Sequence, residues 1–290
     1  MSSPRRLFCF GLGYTALGLA RARRAEGWAV AGTCRTEANR LELVGTGIEA
    51  RLFDGVRPLA PEALDGVTHV LSSVPPGPEG DPVLLCHEGD IAALAGLAWL
   101  GYLSTTGVYG DRGGGWVDEG SALEPTGERG RRRVEAERRW LALWRDRGLP
   151  VHVFRLAGIY GPGRSALDAV RAGRARRVHK PGQVFSRIHV DDIVAAASAS
   201  MARPNPGAVY NLCDDDPAPP EDVVTFACAL LGVEPPPLVP FREAGLSEMA
   251  SSFYADNKRV RNDRMKRELG VRLEYPDYRT GLSALLAAGA

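Results

Sequence analysis

The residues with chemistry to offer begin at Gly11-Leu12-Gly13-Tyr14-Thr15-Ala16, a glycine turn close to the start of a 290-residue chain. Gly11 permits a tight turn, Gly13 lets backbone amides approach a pyrophosphate, and Ala16 is small enough for a helix to close on a strand. Gly11, Gly13, Tyr14 and Thr15 are the candidate cofactor contacts, with an ordinary tight turn as the alternative. A GxGxxA string is a weak signal alone and a fair one between a strand and a helix. Downstream, Gly32-Thr33-Cys34-Arg35-Thr36 lacks the acid that NAD's ribose hydroxyls would ask for. Arg35 can instead pair with a 2′-phosphate, so NADP is preferred over NAD; a solvated loop arginine is the other reading. Asp54 either meets the adenine edge or caps its own turn. Ser73 and Val74 lead into two stiff prolines, Pro75 and Pro76.

Those residues need a scaffold, and the apolar pattern supplies one. Arg6–Phe10 reads as a first strand, followed by a helix to about Glu26 with Leu17, Ala20 and Ala25 on its apolar side, then a strand at Trp28–Thr33. Further strands read at Ile48–Phe53, Val67–Val74, Trp99–Ser104, Val151–Ala157 and Val209–Cys213. Helices read at Pro82–Leu94, Ser165–Ala172, Ile193–Met201 and Pro220–Leu231, with a short helix ending near Gly270 and a last one after Tyr278. Ser73 and Val74 then fall at the carboxyl end of a strand, where open α/β sheets bind ligands.

With the elements in place, several motifs align. Leu103-Ser104-Thr105-Thr106-Gly107-Val108-Tyr109-Gly110, then Trp116-Val117-Asp118-Glu119, then Phe154–Gly163, Arg187–Ile193 and Tyr210–Asp214 follow one another in order. In this the chain resembles the extended short-chain dehydrogenase/reductase family, and more closely its atypical NAD-dependent epimerase/dehydratase-like members. The resemblance covers nearly the whole chain. It implies an α/β fold: a Rossmann-type doubly wound parallel sheet with a small C-terminal substrate lobe. The nucleotide-binding core would lie mainly in 1–163 and 187–214, and the lobe mainly in 164–186 and 215–275.

The same resemblance implies site residues. A serine or threonine on the fifth strand bonds the substrate oxygen, and the match puts that role on Thr105, four residues before Tyr109. The family then has a tyrosine four residues before a lysine: the phenolate moves the proton, and the lysine lowers its pKa and holds the nicotinamide ribose. Aligned on Glu137, those positions hold Arg129 and Arg133. Arg133 keeps positive charge by the ribose, though its geometry and hydration differ from lysine's. Arg129 does not cycle a proton near neutrality, because its pKa lies above about 12. It can only stabilise negative charge. General acid–base chemistry contributes about 10²–10⁴-fold, so its loss matters. Tyr109, Tyr102, Asp111 or His189 could supply the proton instead; so could water; or no proton moves. Tyr109, Arg164 and Lys258 are the candidate substrate contacts, with a solvated arginine as the alternative for Arg164.

The plainer reading of the arginine run is an exposed helix with the i,i+4 pairs Arg131–Glu135 and Arg133–Glu137, each worth a few tenths of a kcal/mol. A formal charge of +1 gives no field for nucleic acid or membrane, and no aromatic platform interleaves with the arginines. No run is long enough to span a bilayer. The five cysteines show no CxxC spacing and the five histidines no zinc spacing, so free thiols in a cytoplasmic protein without a metal are expected. Asp191 or Asp192 is expected to cap the helix that follows it. The implied activity is an NAD(P)-dependent oxidoreductase or epimerase-like one on a small polar or nucleotide-sugar-like substrate, in a protein that forms a homodimer. The rival is a non-catalytic NADP-binding sensor or scaffold.

Overall fold

The first strand, β1 (Arg6–Phe10), is apolar from Leu7 to Phe10, and these side chains are wholly buried. Such a run suits a parallel strand covered on both faces. The structure is a computed structural model and describes residues 5–289. After β1 come α1 (Tyr14–Ala25), β2 (Ala29–Cys34), α2 (Glu37–Gly45), β3 (Glu49–Leu52), β4 (His69–Ser72), α3 (Pro82–Ala92) and β5 (Trp99–Thr105). Then follow β6 (Trp116–Val117), α4 (Glu128–Arg147), β7 (Val151–Leu156), β8 (Gly158–Tyr160), α5 (Ala166–Arg171), β9 (Arg177–His179) and β10 (Arg187–His189). The remainder is α6 (Val190–Ala202), β11 (Val209–Leu212), α7 (Pro220–Leu231), β12 (Leu238–Pro240), α8 (Glu248–Ala255), β13 (Arg259–Val260) and α9 (Tyr278–Ala287).

The chain packs as two compact units. The first holds residues up to Thr105, Arg131–Arg155 and Val194–Tyr210; the second holds Thr106–Gly130, Leu156–Ile193 and Asn211 onward. The first is built on a seven-stranded sheet in the order β11-β7-β5-β4-β1-β2-β3, the doubly wound α/β arrangement expected from the sequence. β1 runs parallel to both β2 and β4, with Leu7 opposite Val30 on one side and His69 on the other. The strand order therefore reverses beside β1, which places the glycine turn at the sheet's switch point. Phe8, Phe10, Phe53, Leu100, Tyr102 and Trp140 fill the core. Trp140 anchors α4: it stacks on Tyr102 at 5.7 Å, and its Nε1 donates to Asp81 Oδ2 at 2.9 Å. Asp81 also caps α3, whose Pro82 fits the first helical position.

The second unit has its own core of Tyr160, Leu167, Val223, Tyr278, Leu282 and Leu285. A Cβ at Gly281 would fall on the Tyr160 hydroxyl, so α9 can approach β8 only through a glycine. Three short parallel pairs organise it: β8 with β10, β9 with β12 and β6 with β13. These pairings draw 106–130, 156–163, 187–193 and 211–214 into the second unit, which is larger than the boundaries read from sequence. Neither aspartate caps α6 as expected: the helix already begins at Val190, and Asp192 accepts from the Glu274 and Tyr275 amides at 2.8 and 3.1 Å. Asp192 thereby fixes the segment leading into α9.

Candidate functional site

In the first unit the glycine turn is tightly specified. Gly11 has φ +84°, and a Cβ there would lie 2.8 Å from Ser73 Oγ. Its N–H donates to Thr33 Oγ1 at 2.8 Å, and its carbonyl accepts from Ser73 Oγ at 2.5 Å. Ser73 is thus a clasp across the turn, with Val74 beside it: a Cβ on Gly11 would lie 3.2 Å from Val74 Cγ2. At Gly13 the situation is reversed, because a Cβ would meet nothing within 4 Å. Gly13 opens α1 with no side-chain cap and no acid in the first turn. The first amides of a helix need partners, and this end offers them, with the positive end of the helix dipole, to an anion. Tyr14 and Thr15 supply the next two residues of that end, half-buried and buried respectively. These residues fit the pyrophosphate of a dinucleotide.

Arg35 is exposed just past β2, and its guanidinium has no ion pair or hydrogen bond among the described residues. Asp54 takes up its turn: it accepts the Val56 and Arg57 amides, each at 2.9 Å, and pairs with Arg57 at 3.0 Å. The two backbone bonds first, and Arg57 with them, hold its carboxyl down at about 2.

Thr105 ends β5. The neighbouring Ser104 faces the interior and donates to Glu137 Oε1 at 2.5 Å. Glu137 also receives Arg155, whose Nη2 lies 2.7 Å from Oε2. This buried trio ties β5, α4 and β7 together behind Thr105. It also overturns the Arg133–Glu137 helix pair, since Glu137 is turned inward. Arg133 instead donates to the Leu103 carbonyl at 2.6 Å and the Tyr102 hydroxyl at 3.1 Å. Glu135 pairs with Arg138 at 3.0 Å.

Four groups considered for the proton are otherwise engaged. Tyr102 is wholly buried, and burial raises its pKa despite Arg133. Tyr109, also expected at the substrate, is wholly buried and donates to Asn211 Oδ1 at 2.7 Å, so it is a core hydrogen bond in the second unit. Asp111 accepts the Asn257 amide at 2.8 Å, a bond that lowers its pKa and keeps it ionised. His189 is buried, its Nδ1 accepts the Asp191 amide at 3.2 Å, and burial keeps it neutral by lowering its pKa.

Arg129, in the first turn of α4, is exposed and has no side-chain partner among the described residues. Gly130 behind it is obligatory: a Cβ would lie 2.6 Å from Pro125 Cβ and 3.0 Å from the Gly107 carbonyl. Arg164 is exposed beside α5. Lys258 is nearly buried and donates to the Gly110 carbonyl at 2.9 Å and Asp256 Oδ2 at 3.0 Å. Asp256 and Thr126, bonded at 2.5 Å, position the candidate Lys258 and were not singled out from the sequence. They lie in two separate stretches, and 130 residues separate them. Among the described residues, no group of three or more His, Cys, Asp or Glu could hold a metal ion, and no helix is long and apolar enough to cross a membrane.

No family model matches the chain. Solved structures do. A functionally unknown conserved protein from Silicibacter pomeroyi DSS is 54% identical, with a TM-score of 0.91 over 98% of this chain and 99% of that one. A protein described as an NAD-dependent epimerase/dehydratase, from Methylobacillus flagellatus, is 26% identical with a TM-score of 0.71 over 99% of both chains. The dTDP-glucose 4,6-dehydratase of Bacillus anthracis str. Ames, solved in complex with NAD, shares the fold at 18% identity, with a TM-score of 0.77 over 98% of this chain and 96% of that one. Taken with the switch-point glycine turn and the ordered motifs, these likenesses give the chain the fold of NAD-dependent epimerases and dehydratases and are consistent with an extended short-chain dehydrogenase/reductase-like family.

Proposed function

We propose that this protein is an NAD(P)-dependent oxidoreductase or epimerase-like enzyme acting on a small polar or nucleotide-sugar-like substrate, with NADP preferred. One observation carries the reading: α1 starts with an uncapped, acid-free turn below Gly11 and with open space over Gly13. Bound there, the dinucleotide supplies or accepts a hydride. The chain's own groups bind and orient. Thr105 bonds the substrate oxygen, and Arg133 offers the ribose the guanidinium nitrogens it does not use on β5. Arg35 meets a 2′-phosphate. Arg129 stabilises negative charge on substrate without exchanging a proton. Arg164 and Lys258 lie on the substrate side of the reading. The bound NAD of the Bacillus anthracis dehydratase supports the cofactor class. A homodimer in the cytoplasm is part of the same reading, and light scattering checks the assembly.

The experiment is calorimetric titration with NADP and NAD, followed by cofactor absorbance against aldehydes, ketones and nucleotide sugars. NADP should bind tighter than NAD, and Arg35→Ala should weaken NADP alone, by about tenfold. Thr105→Ala should abolish turnover. Gly11→Val should lose binding of both dinucleotides, since φ +84° and the Ser73 contact both exclude a side chain. Absence of binding to either dinucleotide would sink the proposal. A second reading, an NADP-binding sensor or scaffold, is favoured by Arg129 standing exposed where the family has tyrosine. Tight binding without turnover on the whole panel would select it.

A further inference from the structure

A guanidinium carries five N–H donors in one rigid plane, and at Arg133 two of them are spent on the sheet. Its Nη1 donates to the Leu103 carbonyl at 2.6 Å and to the Tyr102 hydroxyl at 3.1 Å, which uses both hydrogens of that nitrogen. Nε and Nη2 have no acceptor among the described residues, and neither is closed off from the surface. These two nitrogens share one edge of the guanidinium. Their N–H bonds run parallel there, as the fork that meets two neighbouring oxygens at once. An ammonium has no such edge.

Tyr102 fixes which edge is left over. Burial raises its pKa, so the phenol stays neutral and accepts from the arginine. The Arg133 guanidinium also lies 5.7 Å over the Tyr102 ring. The ring is held from behind by Trp140, stacked at 5.7 Å, and Trp140 Nε1 donates to Asp81 Oδ2 at 2.9 Å. Asp81 in turn accepts the Val83 and Leu84 amides at the start of α3. A chain of contacts thus runs from α3 through the core and ends on one nitrogen of Arg133. Without the hydroxyl only the Leu103 bond remains, and the guanidinium is free to swing about it.

The sheet sets this anchor level with the glycine turn. Phe10 of β1 pairs with Ser72 of β4, and Ser72 pairs with Tyr102 of β5. Gly11 follows Phe10 and Leu103 follows Tyr102, so both stand at the carboxyl ends of their strands, two strand spacings or about 10 Å apart. All of these residues belong to the first unit. In a dinucleotide the second ribose is bonded directly to the pyrophosphate, and its 2′ and 3′ hydroxyls are neighbouring oxygens. We propose that Tyr102 is a positioning residue of the dinucleotide site: it pins Nη1 so that the Nε–Nη2 edge of Arg133 takes the two hydroxyls of the nicotinamide ribose as a pair. The inference rests on the dinucleotide-binding part of the reading above and holds for the enzyme and the sensor alike.

The test is a double-mutant cycle read with two ligands. NADP⁺ carries the second ribose, whereas ADP ends at the pyrophosphate before it. Wild type, Tyr102→Phe, Arg133→Ala and the double variant are titrated with NADP⁺ by calorimetry, and with ADP in competition against it; NAD⁺ replaces NADP⁺ if it binds tighter. Tyr102→Phe keeps the ring on Trp140 and removes only the hydroxyl. It should weaken NADP⁺ by about two- to tenfold and leave ADP within about twofold. Arg133→Ala should weaken NADP⁺ by at least about tenfold, and adding Tyr102→Phe to it should change the affinity by no more than about twofold. Arg133→Gln replaces Arg133→Ala if the latter does not fold. Three results overturn the proposal: NADP⁺ affinity unchanged in Tyr102→Phe, an equal loss for ADP and NADP⁺, or a Tyr102→Phe effect that keeps its full size without Arg133. Each of these leaves dinucleotide binding standing. A wild-type protein that binds neither dinucleotide overturns that reading itself, and this one with it.

Discussion

Two buried carboxylates, one in each unit, are handled in opposite ways. Glu137 in the first unit is 2% exposed and fully engaged: Arg155 Nη2 lies at 2.7 Å, Arg155 Nε at 3.1 Å and Ser104 Oγ at 2.5 Å. Asp214 in the second unit is 1% exposed, and no side chain donates to either oxygen. Arg187, the cation that acts on it, turns its Nη1 to the Phe185 and Ala218 carbonyls at 2.8 and 3.1 Å. Burial pushes the Asp214 carboxyl up to about 8, and Arg187 and two backbone amides offset that only in part. The first unit thus neutralises Glu137 with a fixed partner, whereas Asp214 in the second unit is neutralised by keeping a proton. A paired charge makes a rigid frame, and a retained proton makes stability depend on pH.

The largest effect should come from Asp214→Asn. A carboxyl raised from 3.8 to about 8 binds more protons folded than unfolded. Its penalty is absent below the unfolded value, grows as pH rises through the interval and is constant above the folded value. The upper bound on that penalty is on the order of 5 kcal/mol. Asp214→Asn should therefore match the wild type near pH 4 and exceed it above about pH 8. Urea midpoints across pH check this, and a wild-type-minus-variant difference that does not change with pH would refute it. Glu137→Ala should come next. It removes the buried carboxylate that pairs with the Arg155 guanidinium, at a cost of about 3–5 kcal/mol. Replacing both partners with methionine should recover most of the loss, and a Glu137→Ala melt within error of wild type would erase the contrast between the two units.

The first unit was far more legible in the sequence than the second, for physical reasons. β1 and β2 are largely apolar runs closed by turn residues, and a glycine with φ > 0 at position 11 leaves a mark that composition bias does not hide. Glu137 could be used as an alignment anchor, but its partner Arg155 lies on a different strand and looked like any other arginine of the chain. In the second unit the strands β6, β9, β12 and β13 are two or three residues long, too short for periodicity to register. Tyr109 was misread for a related cause: the motif that makes it recognisable says nothing of Asn211, which takes its hydroxyl into the core. Charge on an arginine-rich helix misled in the same way, since i,i+4 spacing cannot tell an outward Glu135 from an inward Glu137.

The smallest effect concerns Arg129, and it probes which unit's logic that residue follows. Arg129 sits in the first turn of α4, where the helix dipole is positive, and it is exposed with no side-chain partner among the described residues. A cation there opposes the dipole by about 0.3–1 kcal/mol. Arg129→Ala should therefore leave the protein as stable as before or raise its stability by that amount, in contrast to every substitution in the Glu137–Arg155 pair. The same variant should weaken an anionic substrate through KM while leaving dinucleotide binding unchanged, because its charge is free to meet a ligand. Thermal melts and substrate titration read the two arms separately. A loss of stability larger than about 1 kcal/mol would mean that Arg129 is a framework residue like Arg155. Unchanged KM for acidic and neutral substrates alike would remove it from the substrate side and leave charge stabilisation to other residues.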